Sequence, residues 1–61
     1  MNKTTAKTIL GDSLQPNGEI YNLGHYMYWN PTKAKITLDC QFSLEELEAI
    51  VWVMKKYGGS E

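Results

Sequence analysis

The spacing of apolar and polar positions changes along this chain, most sharply at Phe42. From Phe42 to Gly58 (FSLEELEAIVWVMKKYG) the apolar residues recur at helical spacing. At about 100° per residue, Leu44, Leu47, Ile50, Val51, Val53, Met54 and Tyr57 fall on one half of a cylinder, and Glu45, Glu48, Lys55 and Lys56 fall on the other. Start and stop signals bracket the segment. Ser43 is an N-cap residue and Glu46 stands three positions on, the spacing of a capping box. Phe42 and Leu47 are spaced for a hydrophobic staple. Acidic residues lead, lysines close, and Gly58 is available for a left-handed C-terminal cap. Trp52 is the misfit, an indole among the charged positions. Its ring either folds over the Lys56 stem or a loop, or faces a partner.

Upstream the period shortens to two. Lys33 to Phe42 sets Ala34, Ile36, Leu38, Cys40 and Phe42 on one side, against Lys35, Thr37, Asp39 and Gln41 on the other, which predicts a strand with one buried face. Glu19 to Trp29 (EIYNLGHYMYW) is rich in β-formers and predicts a long central strand, with a bulge or close backbone approach at Gly24. Pro16-Asn17-Gly18 and Asn30-Pro31-Thr32-Lys33 read as the turns at its ends. Lys7 to Leu10 can open a first, short strand, and residues 1–5 read as a frayed end. The expected fold is therefore α+β: one domain over residues 1–61, a three-stranded antiparallel β-meander with one C-terminal α-helix packed on one face, βββα.

Composition narrows the classes. Sixty-one residues are near the lower limit for folding on a hydrophobic core alone, and a single cysteine excludes an intrachain disulfide. A formal charge of −1 gives no electrostatic footprint for nucleic acid. All six basic residues are lysines, so no guanidinium fork is available for phosphate or carboxylate. No apolar run is long enough to span a bilayer and no signal-peptide h-region is present. With the free thiol, that makes a cytoplasmic location the expectation.

Candidate chemistry is thin. Gly11-Asp12-Ser13-Leu14 spells the block of the GDSL hydrolases, but no DxxH block follows to supply base and carboxylate, and His25 lies within the expected central strand. His25 and Cys40 could face one another across strands. Cys40, on the apolar parity of its strand or in the turn before the helix, reads instead as a small, buried or half-buried filler. No spacing suits a structural metal, so no catalytic residue, metal or cofactor is expected. What remains is aromatic surface. Tyr21, Leu23, His25, Met27 and Trp29 share one parity of the central strand, with Ile20, Tyr26 and Tyr28 on the other, so one helix cannot cover both. Tyr21, Tyr26, Tyr28, Trp29 and Trp52 are the candidate partner-binding residues, and a homodimer is one way to cover them.

The stretch TLDCQFSLEELEAIVWVMKKY resembles the end of many short phage proteins, which close with a strand, a tight Asp-Gly turn and F-[ST]-LEELEA before an amphipathic helix; Cys40 stands here where glycine is usual. In size, acidity and aromatic surface the chain also resembles small phage anti-defence proteins such as the Hachiman anti-defence group. That resemblance implies a non-enzymatic protein that binds and inhibits a larger bacterial protein by covering a functional surface. The alternative class is a nucleic-acid-binding or regulatory module that stacks bases on the same aromatic sheet, for which Lys33 and Lys35 supply little basic groove.

Overall fold

The computed structural model describes residues 1–24 and 27–58 and contains two helices and a two-stranded sheet. The order is α1 (Lys3–Leu10), a 3₁₀ turn (Gly11–Ser13), β1 (Ile20–Leu23), β2 (Met27–Trp29) and α2 (Leu44–Tyr57). The three-stranded meander is thus replaced by an antiparallel hairpin held against two helices, and each difference has a local cause.

Where a first strand was expected, the chain is helical. The Asn2 side chain caps α1 by accepting from the Thr5 N–H at 2.8 Å, so part of the segment expected to fray forms the first turn. A strand would send Ile9 and Leu10 to opposite faces. The helix brings them to one side with Ala6, and that side packs against α2. Gly11 ends α1 at φ +63°, ψ −142°, a conformation essentially restricted to glycine, while its N–H donates to the Lys7 carbonyl. The Leu14 carbonyl then accepts from the Lys7 ammonium at 2.9 Å, and the Leu14 side chain enters the core. The GDSL segment therefore stops a helix and anchors a loop.

The expected central strand folds back on itself. Ile20 pairs with Trp29, Tyr21 with Tyr28, and Leu23 with Met27, with a register break between Tyr21 and Leu23. Asn22 occupies that break at φ +56°, a left-handed conformation that asparagine tolerates better than most residues. The break moves Leu23 to the same side as Ile20, which strict alternation would forbid. The turns at both ends form as expected. Gly18 N–H donates to the Gln15 carbonyl at 3.0 Å, and Lys33 N–H to the Asn30 carbonyl at 3.0 Å.

The expected third strand does not form. Residues 34–42 pair with no strand, although Ile36 and Phe42 pack against the core. Period-two alternation supplies an apolar side but no hydrogen-bonding edge. Here β2 is only three residues long, and the Lys33 carbonyl accepts from the Trp29 indole at 3.2 Å. Cys40, expected to be a buried or half-buried filler, is exposed, its sulfur lying over Gly24.

Helix α2 matches its reading at the start. Ser43 Oγ accepts from Glu46 N–H at 3.1 Å and Glu46 Oε1 from Ser43 N–H at 2.8 Å, completing the capping box. At the other end Gly58 is right-handed, at φ −71°, ψ −12°, and not in the left-handed cap expected; its N–H continues the helical ladder to the Met54 carbonyl. The core gathers Ala6, Leu10, Leu14, Ile20, Leu23, Met27 and Trp29 against Ala49, Ile50 and Val53. Only part of the apolar half of α2 is consumed there. Leu44, Leu47 and Val51, on the same apolar half, stay exposed because the small core is narrower than the helix face.

Candidate interaction surface

The outer side of the hairpin carries a connected polar and aromatic group. With Ile20, Leu23, Met27 and Trp29 facing the core, Tyr21 and Tyr28 stand directly opposite one another on the solvent side. Their ring centroids are 4.9 Å apart and the planes are inclined at 40°. Both hydroxyls donate to one carboxylate: Tyr21 to Glu19 Oε1 at 2.8 Å and Tyr28 to Glu19 Oε2 at 3.2 Å. Asn17 also donates to Glu19 Oε1 at 3.3 Å, and its own side-chain oxygen accepts from the Glu19 N–H at 3.1 Å. Asn30 donates to the Tyr28 hydroxyl at 2.9 Å while its carbonyl oxygen accepts from the Thr32 N–H and hydroxyl. The Lys33 ammonium lies 5.1 Å from the Tyr28 ring centroid, within cation–π range.

These contacts shift two titrations. The Tyr21 hydroxyl, with Asn17 and Tyr28 beside it, stabilises the ionised Glu19 and holds its carboxyl below the usual value. The same hydrogen bond, with the negative charge of Glu19 adding to it, pushes Tyr21 up to about 12. At neutral pH the Glu19 anion therefore bridges the Tyr21 and Tyr28 hydroxyls, with the Lys33 side chain at one edge. The patch offers an aromatic surface with hydrogen-bonding capacity.

The other candidate residues are placed differently. Trp29 is fully buried, so its ring serves the core and offers no surface in the monomer. Tyr26 and His25 lie outside the described residues. Trp52 is half-buried beside α1, in a groove shared with Met1, Thr5 and Ile9, and its ring meets Tyr57 edge-on at 6.3 Å. Sequence reasoning overlooked Glu19 and Asn30. The Asn17–Glu19 spacing at the end of a turn was the available signal, because an Asx side chain commonly bonds two residues on.

Among the described residues no group of three or more His, Cys, Asp or Glu is placed to hold a metal ion. Among the same residues no helix is long and apolar enough to cross a membrane. Comparison with protein-family models, with curated proteins and with solved structures gives no match.

Proposed function

We propose that this chain is a small, non-enzymatic protein-binding module that presents Tyr21 and Tyr28 to a larger bacterial protein and covers a functional surface there. The observation that carries this reading is the bridging of both tyrosine hydroxyls by Glu19. Tyrosine supplies a large amphipathic contact area at low entropic cost, and rings already held in place forfeit less freedom on binding. Two tyrosines are an anchor and not a whole interface, since stable complexes bury about 800 Å² per partner. The bacterial target class comes from the likeness of residues 37–57 to phage accessory proteins, of which the capped helix is present and the preceding strand is not.

Base stacking on the same rings is disfavoured by the charge at their centre. Glu19 stays ionised well below neutral pH and would face the phosphates of a bound strand, with Lys33 the one cation at the patch among the described residues. The test is a comparison of two baits in bacterial lysate, the wild-type chain and Tyr21→Ala/Tyr28→Ala, read by quantitative mass spectrometry. The reading requires a protein enriched stoichiometrically by the wild type and lost with the variant, whose helical circular dichroism is retained. An identical set of proteins on both baits, or salt-sensitive capture of nucleic acid alone, would overturn it.

A further inference from the structure

The apolar half of α2 is wider than the core it faces. Ala49, Ile50 and Val53 are buried, whereas Leu44, Leu47 and Val51 on the adjoining strip are 71%, 36% and 50% exposed. With half-buried Met54 and with Gly58, the strip runs 44, 47, 51, 54, 58, the alternating four- and three-residue spacing of a two-helix seam. One border of the strip carries Glu48 and Lys55, both exposed and one heptad apart, hence in equivalent flanking positions. Toward its C-terminal end the strip opens into a groove of about 640 Å³ walled by Trp29, Pro31, Lys33 and Ala34, with Val51, Met54, Lys55 and Gly58 on the helix side. An apolar ridge, a hole beside it and opposite charges seven residues apart are complementary to the same features turned end for end. We infer that a second copy of this chain docks here, α2 against α2 and antiparallel, about a two-fold axis beside Val51 and Met54.

The charges choose orientation and register together. A two-fold axis perpendicular to the helix sets each flank against the same flank of the other copy. With the axis beside Val51 and Met54, Glu48 meets Lys55 of the second copy, and the pairing repeats by symmetry. Sliding by about one turn toward the helix start would oppose Glu48 to itself, a like-charge contact. A parallel pair would turn Glu48 and Lys55 toward the opposite flank, where Ile50 is already in the core. In the antiparallel register Val51 lies against Met54 of the other copy, and Leu47 lies over the groove beside Gly58. The helix dipoles also oppose.

The 14 residues of α2 span about 21 Å. One helix pair with a single groove wall is smaller than the roughly 1,200 Å² at which stable interfaces begin. The dimer is accordingly weak and depends on concentration and salt. It is built on α2 and meets the Tyr21–Tyr28 patch only at Lys33, and it does not rest on the binding reading.

Sedimentation equilibrium at low salt, from about 10 µM to 1 mM to cover so small an interface, tests it with Glu48→Lys and Lys55→Glu. Both positions are exposed, so each variant keeps the monomer fold, which circular dichroism checks. The wild type should climb toward twice the monomer mass. Each variant alone opposes like charges twice per dimer and should associate about tenfold more weakly. An equal mixture of the two restores both pairings and should recover or exceed wild-type association. A wild type that stays monomeric throughout would overturn the inference. So would single variants that associate as the wild type does, or a mixture no tighter than its components.

Discussion

Gly18 is where the turn, the hairpin and the end of α2 meet, and replacing it with alanine tests whether that junction holds the domain together. The residue is buried and sits at φ +94°. An L-side chain there carries backbone strain of about 1–3 kcal/mol. The added Cβ would also run into the Tyr57 side chain, 2.7 Å from its Cβ and Cδ1, where nonbonded carbons require well over 3 Å. Because the Tyr57 Cβ is fixed to the helix, the clash is not relieved by rotating the ring; the end of α2 or the turn must move. Overpacking of this kind adds about 1–3 kcal/mol, for a loss of roughly 2–6 kcal/mol in all. A 61-residue domain has about 3–9 kcal/mol of stability to lose. Gly11→Ala is the internal comparison: that glycine also has a positive φ, but a Cβ there would meet nothing within 4 Å. Urea unfolding at neutral pH should therefore rank the wild type above Gly11→Ala and Gly11→Ala above Gly18→Ala by at least about 1 kcal/mol. Equal losses at the two positions would refute the packing of Gly18 on Tyr57.

Three further outcomes are expected. Ser43→Ala removes the side-chain acceptor for Glu46 N–H and should cost about 1 kcal/mol in the same unfolding experiment. Trp29→Ala empties the centre of the core and should cost about 3–5 kcal/mol, enough to abolish a cooperative transition. The Glu19–Tyr21 hydrogen bond gives stability a dependence at both ends of the pH scale. Glu19, held low, contributes above its unfolded value and loses that contribution as acid protonates the folded carboxylate. Tyr21, held high, contributes below pH 10 and loses it as pH rises toward 12. In Glu19→Gln, the Tyr21 phenol followed by NMR should titrate near 10 again, and a wild-type Tyr21 already titrating near 10 would exclude the bridge.

The parts of this fold that sequence reveals are those whose cause is local. The Ser43–Glu46 box and the Asn30 and Gly18 turns are decided by residues within four positions of one another, and all form. The strands are decided by pairing partners, which alternation does not name. The run from Ala34 to Phe42 alternates well and still finds no edge to join, because β2 is short. For α1 the helical signal was present in Asn2 as a cap and in Ala6 and Leu10 four apart, but the β-branched Thr8 and Ile9 pointed the other way. Tyr21 and Tyr28 were legible as unusual surface aromatics, yet the parity that exposes them depends on one left-handed residue, Asn22. The same dependence sends Trp29 inward. The exposed strip of α2 was not legible because helical spacing names an apolar half-cylinder but not how much of it the core covers.

The central claim is that the outer face of the hairpin touches a protein partner. A photoreactive benzoylphenylalanine placed at Tyr21, at Tyr28 or at Thr8 reports this directly. Tyr21 and Tyr28 share the hairpin face, while Thr8 is exposed on α1. Irradiation in bacterial lysate should give one discrete protein adduct, of the same mass shift, from positions 21 and 28 and none from position 8. Adducts of equal yield from all three positions, or adducts to nucleic acid alone from 21 and 28, would contradict the account.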